Sequence, residues 1–309
     1  MEAIAKLEDR EIQKVLFPTL SAFLPLLTQN KDAIARVPLK TFTYGDTPRH
    51  QLDVYYPPHP ASGASPVLFF IYGGGFTSGE RTLPDPASLA YANLGAYFAQ
   101  KGFVVVVPDY RLVPHVKFPG PAEDIRDAVT WVIDNLNKSS DAGLPQAETS
   151  SIFIMGQSAG AAHTCTTAFY PGLAPAKLKQ HIKGLVLISG TYHNFPAGTK
   201  GDFDDLKDVY WSGEEQMKKN EPLQLLQGVP ESEVAKIPSI LLVEGERDPE
   251  WLQIVGEDFY KEASKRGVRA EKLIAKGHNH ISLSMALSSG QGEEWADTAT
   301  KWMLARLSS

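Results

Sequence analysis

The pentapeptide Gly156-Gln157-Ser158-Ala159-Gly160 is the stretch of the sequence best suited to chemistry. It follows the apolar run SIFIM (151–155) and opens a segment with helical apolar spacing. A serine on a sharp turn between a buried strand and a helix projects from the end of a sheet. The adjoining helix N-terminus presents unpaired N–H groups to negative charge. Glycine on either side suits a turn too tight for side chains. Ser158 is therefore read as a nucleophile, against the plainer reading of a helix N-cap with packing glycines.

A serine needs a base, and the base needs an acid to orient it. Asp248 follows the strand-like run SILLVEG (239–245) and is the candidate acid. Glu246 is the runner-up, and Glu244 falls within the strand. Asp248 could also cap the helix that starts near Pro249. Gly277-His278-Asn279-His280 comes later in the chain and supplies the base. His280 is preferred, with His278 as the alternative. No third histidine or cysteine clusters with them, so no metal site and no cofactor is expected. Tyr72-Gly73-Gly74-Gly75-Phe76 leaves backbone N–H groups uncovered, as an oxyanion requires. Gly74 and Gly75, with the N–H of Ala159, are the expected oxyanion donors.

These residues need a sheet to bring them together. VLFFI (67–71), FVVVVP (103–108), SIFIM, GLVLIS (184–189) and SILLVEG read as strands buried on both faces. RAEKLIA (269–275) reads as a weaker edge strand. LKTFTY (39–44) and HQLDVYYP (50–57) read as an antiparallel pair. Helical spacing is expected over Pro86–Lys101, Ala122–Leu136, Ala159–Phe169, Glu250–Arg266 and Gly292–Leu307. Gly102 and Gly267 fall where C-terminal caps belong. The alternation predicts an α/β fold with a mostly parallel, doubly wound sheet. Residues 1–36 and about 190–238 stand outside it, so one domain over 1–309 with these two stretches as a helical cap is expected.

In combination these motifs resemble the α/β-hydrolase fold, in particular the hormone-sensitive-lipase-like esterases and the related arylformamidases. The resemblance runs from LDVYYP (52–57) to the histidine loop. It includes Asp109-Tyr110-Arg111-Leu112-Val113-Pro114 and the stretch Phe118 to Asp124. It implies cofactor-free hydrolysis of carboxylic esters under a cap. One departure stands out: the family's oxyanion loop usually begins with histidine, and here Tyr72 occupies that place. Its hydroxyl would order the loop, or the ring would line the pocket. Asp109 and Arg111 are read as a pair bracing loops at the sheet top, and Cys165 as a buried, inert thiol.

Tyr72, Phe76, Tyr192 and Trp211 are expected to line the substrate pocket. Phe195, Phe203 and Tyr210 from the second extra stretch, and Phe17, Leu20, Phe23 and Leu24 from the first, would roof it or fasten the cap. Asp202, Asp204 and Asp205 read as a solvated loop. The expected activity is serine carboxylesterase, on small to medium apolar or aryl esters. Amide hydrolysis of the arylformamidase type and a non-catalytic small-molecule receptor on the same fold are the alternatives.

Composition narrows the partners. The 309 residues carry a net charge of −6, which argues against nucleic acid. One cysteine allows no internal disulfide and suits a reducing, cytoplasmic compartment. The N-terminal stretch lacks the apolar core of a signal peptide. The apolar stretch Val15–Leu27 is too short to span a bilayer and is interrupted by Pro18 and Pro25. A small-molecule ester or amide is the expected partner, and a homodimer stays open.

Overall fold

The computed structural model describes residues 1–59, 63–139, 141, 143–193 and 203–307, with 203–205 described for the backbone alone. The N-terminal helices are α1 (Glu2–Ala5), α2 (Ile12–Gln29) and α3 (Lys31–Ala35). Strands β1 (Leu39–Thr43), β2 (Gln51–Tyr55) and β3 (Ser65–Ile71) follow, then α4 (Ala92–Gln100), β4 (Val104–Pro108), α5 (Gly120–Ser139) and β5 (Ala147–Gln157). Next come α6 (Ala159–Phe169), α7 (Ala176–Lys179), β6 (Ile182–Ile188) and the helices α8 (Phe203–Val209), α9 (Glu214–Asn220), α10 (Pro222–Gly228) and α11 (Glu231–Val234). The chain closes with β7 (Ser239–Gly245), α12 (Glu250–Lys265), β8 (Ala270–Ala275), α13 (Ser282–Met285) and α14 (Glu294–Leu304).

One eight-stranded sheet, in the order β1-β2-β4-β3-β5-β6-β7-β8, organises these elements. β2 is antiparallel to both β1 and β4, and every other pairing is parallel. Strands β4 and β7 are buried at every position, because helices cover both faces and the sequence offers β-branched residues to each. The chain leaves β3 toward β4 and leaves β5 toward β6, on opposite sides. Strand order reverses at that point, and the crevice outside the carboxyl ends of β3 and β5 is where ligands bind in such sheets. The glycine loop follows β3 and Ser158 follows β5.

The expected helix over Pro86–Lys101 is shorter, beginning only at Ala92. Tyr91 has φ 66°, which a right-handed helix cannot contain. Its ring is held against Phe70 and Tyr72, with centroids 5.4 and 5.6 Å apart. Tertiary packing thus overrides the local spacing. The prolines of the N-terminal stretch do not interrupt α2, which runs through both Pro18 and Pro25. Both lie on its exposed face, while Val15, Thr19, Phe23 and Leu27 repeat every four residues and face the body. Gly102 and Gly267 take φ of 96° and 79° just past α4 and α12, as left-handed caps. Among the described residues no helix is long and apolar enough to cross a membrane.

Candidate active site

Ser158 sits between β5 and α6 with φ 57° and ψ −124°. A left-handed serine costs about 1–2 kcal/mol, so its surroundings must impose it. A Cβ on Gly160 would lie 2.1 Å from the Ile71 carbonyl oxygen and 2.4 Å from that of Tyr72. A Cβ on Gly156 would lie 2.5 Å from the Gly160 carbonyl oxygen. Close packing of helix on sheet therefore requires both glycines. The Ser158 amide donates to Ile188 O at 2.9 Å, and the side chain is half-buried at the N-terminus of α6.

The glycine loop lies against this turn. A Cβ on Gly73 would stand 2.8 Å from Ser158 Cβ and 3.4 Å from its Oγ. Gly74 and Gly75 take φ of 121° and 60°. Ser78 closes the turn: its amide and hydroxyl donate to Gly74 O at 3.0 and 2.8 Å.

Tyr72 does not face a pocket, contrary to its expected lining role. Its ring is fully buried and stacks on Tyr110 at 4.8 Å. Its hydroxyl donates to Asp109 Oδ1 and accepts from Arg49 Nη2, both at 2.8 Å. Burial, next to Tyr110 and Asp109, pushes this phenol well above its usual range. The hydroxyl anchors the loop from beneath. Asp109 and Arg111 are not a pair with each other. Asp109 is paired with Arg81, and Arg111 makes a bidentate contact with Asp124, Nη2 to Oδ1 being 2.6 Å. Their partners come from different segments of the chain, the Asp109 partner from the loop after β3 and the Arg111 partner from α5.

Asp248 is fully buried after β7. Its Oδ2 accepts the Gly245 amide at 2.8 Å and the Ser189 hydroxyl at 2.5 Å. Its Oδ1 lies 3.4 Å from His280 Nδ1. Among the described residues neither of these two buried atoms has a hydrogen-bond partner. The carboxylate does not cap α12, whose N-cap is Pro249. Glu246 turns away and accepts the Gly277 amide at 2.8 Å. Glu244 pairs with Lys272 at 3.0 Å, and burial raises its carboxyl.

His280 is buried, and its carbonyl accepts from Gln157 Nε2 at 2.8 Å. His278 lies elsewhere: its Nδ1 is 3.1 Å from Ser282 Oγ, and its Nε2 abuts Gly292. Burial pulls its pKa down. Helix α2 braces the loop between the two histidines, where Asn279 Nδ2 donates to Thr19 Oγ1 at 2.9 Å. The first extra stretch thus packs beside the histidine loop. Phe23 is in the main core, Leu20 and Leu24 are half-buried, and Phe17 is 72% exposed.

Phe76, Tyr210 and Trp211 form a second apolar cluster, with Val113, Ala159 and Ala162. Phe76 lies 5.4 Å from both Tyr210 and Trp211. This wall meets the turn at Ala159, next to Ser158. Tyr192, also expected there, instead belongs to the main core and stacks on Phe259 at 4.4 Å. Phe195 and Asp202 lie outside the described residues, as do the side chains of Phe203, Asp204 and Asp205. Cys165 is fully buried, and burial pushes its thiol up. Among the described residues no group of three or more acidic, histidine or cysteine side chains could hold a metal ion.

Sequence reading missed three residues. His163 lies behind the wall, edge-on to Phe76 at 5.1 Å, and burial pushes it down to about 3, so it is neutral. Ser189 holds Asp248, and Gln157 ties the serine turn to the histidine loop. Gln157 stood within the motif itself, but its partner is far away in sequence.

This sheet order, with a left-handed serine between β5 and α6, defines an α/β-hydrolase fold. Known proteins agree. The BD-FAE family matches residues 52–185. The isoprenylcysteine alpha-carbonyl methylesterase of Arabidopsis thaliana is 27% identical over 273 residues, covering 84% of this chain and 60% of that protein. Esterase LipC of Mycobacterium tuberculosis is 35% identical over 95 residues, 31% of this chain and 22% of that one. The crystal structure of esterase B from Lactobacillus rhamnosis superimposes with a TM-score of 0.67 at 17% identity, covering 96% of this chain and 95% of that one. The chain has the α/β-hydrolase fold and is similar in sequence and structure to esterases of that fold. It spans 60% of the length of the Arabidopsis methylesterase.

Proposed function

We propose that the chain is a serine carboxylesterase acting on small to medium apolar or aryl esters. Ser158 Oγ attacks the ester carbonyl, and His280 Nε2 takes its proton. Asp248 holds the imidazole by Nδ1 and stabilises the imidazolium. The N–H groups of Gly74, Gly75 and Ala159 receive the oxyanion. The alcohol leaves with the proton from His280, and water then releases the acid by the same steps. The Nδ1–Oδ1 separation of 3.4 Å is long for a hydrogen bond, as catalytic contacts often are without substrate. The observation that carries this reading is the left-handed Ser158, strained at the crevice where the glycine loop meets it.

Ester chemistry is favoured over amide chemistry by the esterases among the relatives. The apolar wall of Phe76, Tyr210 and Trp211 supports an apolar or aryl group on the substrate. The methyl ester of a prenylated cysteine belongs in the test set because a relative is named for it. One domain with the two extra stretches as its cap, and a cytoplasmic location suited to a single buried thiol, complete the proposal.

The test is turnover of p-nitrophenyl esters of graded acyl length, a prenylcysteine methyl ester and an aryl formamide. Wild-type enzyme should hydrolyse esters, and Ser158→Ala should lose about 10⁴- to 10⁶-fold in kcat. Unchanged turnover in Ser158→Ala would refute the mechanism. Tight binding without turnover by the wild type would favour the receptor reading, and preference for the formamide the amidase reading.

A further inference from the structure

Beyond the carboxyl ends of four neighbouring parallel strands the chain places a polar side chain. Ser158 follows β5, Ser189 follows β6, Asp248 follows β7 and His280 follows β8. Ser189 has no role in the mechanism above. It is buried, and it adopts φ 45°, another left-handed serine at a strand end. Its amide still donates to Val243 O at 2.8 Å, so the main chain remains tied to β7 while the side chain turns aside. That side chain donates to Asp248 Oδ2 at 2.5 Å, the length of a charge-assisted O–H···O⁻ bond.

We propose that Ser189 is a positioning residue that fixes the rotation of the Asp248 carboxylate, and this rests on the reading of Asp248 as the acid. The geometry gives the reason. Oδ2 has two donors, the Ser189 hydroxyl and the Gly245 amide. With Oδ2 committed, Oδ1 is left facing His280 Nδ1. A carboxylate held by one donor can pivot about its Cβ–Cγ bond. A pivot would lengthen a contact that already stands at 3.4 Å. The left-handed backbone at Ser189 is strain kept at a site where a particular side-chain direction is needed.

Two substitutions separate this role from a merely structural one. Ser189→Ala removes the hydroxyl and keeps the strain. Ser189→Gly removes the hydroxyl and relieves the strain. Both should lower kcat on p-nitrophenyl butyrate by about 10- to 100-fold, with KM within about twofold, because a charge-assisted bond is lost. The acid limb of the kcat/KM profile should move in both, since the carboxylate facing the imidazole has changed. A structural role would instead show wild-type kcat in Ser189→Gly. Wild-type kcat in either variant overturns the proposal. Asp248→Asn is measured alongside. A large loss there with intact Ser189 variants sinks the Ser189 role alone, whereas wild-type kcat in Asp248→Asn sinks the acid reading and this inference with it.

Discussion

Gln157 Nε2 donates a 2.8 Å hydrogen bond to the main-chain carbonyl of His280, joining the residue before the serine to the candidate base. The bond is buried and spans 123 residues of sequence. It fixes the histidine loop relative to the serine turn through one amide side chain.

Gln157→Leu should therefore lower kcat by about 10- to 100-fold, the scale of a small misplacement of a reacting group. Gln157→Glu should be worse, because a carboxylate has no donor and would face a carbonyl oxygen. Steady-state kinetics of the two variants check the order. Equal, near-wild-type kcat in both would show that the bond does not position the base.

Gly73 and Gly160 both exclude a side chain, with different consequences. A Cβ on Gly73 would press on Ser158 Cβ at 2.8 Å and on Gln157 O at 3.0 Å. A Cβ on Gly160 would collide with two carbonyls of the β3 end at 2.1 and 2.4 Å. Gly73→Ala should keep its fold and lose about 100-fold in kcat through a displaced oxyanion loop. Gly160→Ala should lose about 3 kcal/mol or more of stability. Denaturant unfolding and kinetics on the same samples distinguish them, and the reverse pattern would contradict the packing argument.

Trp211 lies in the apolar wall beside the serine turn, 4.5 Å from Tyr210. Trp211→Ala should reduce kcat/KM for aryl and long acyl esters by about tenfold or more, as expected for lost apolar burial, and change acetate esters little. A uniform loss across the series would mean that Trp211 only supports the fold.

Glu221 offers a pH test of stability. Burial raises its carboxyl from 4.5 to about 7, slightly opposed by Lys218. The native state therefore keeps this proton to higher pH than the unfolded chain does. Below about 4.5 both states hold it and no penalty exists; the penalty grows up to about 7 and persists above. Glu221→Gln should raise Tm near pH 8 and leave it unchanged near pH 4. Parallel Tm curves for the two proteins would exclude the shift.

Much of the fold was readable along the chain because the buried strands announce themselves. SILLVEG and the helix Ala159–Phe169 end where the sequence placed them, since continuous β-branched runs and a strand–glycine–serine turn are local signals. The start of α4 was not readable, because the left-handed Tyr91 depends on Phe70 and Tyr72. The partners of Asp109 and Arg111 were hidden for the same reason.

By itself, the sequence named Ser158, Asp248, His280 and the glycine loop as candidates, because their flanks carry strand ends, turns and helix starts. It left His278 and His280 both open, and it could not separate wall from core among Tyr72, Tyr192, Phe76 and Trp211. The tertiary structure decided where each side chain points. It turns His280 Nδ1 toward Asp248 and His278 toward Gly292, and it sinks Tyr72 beneath its loop. Side-chain direction at a strand end depends on contacts with other strands, such as those of Gln157 and Ser189, and no local pattern encodes them.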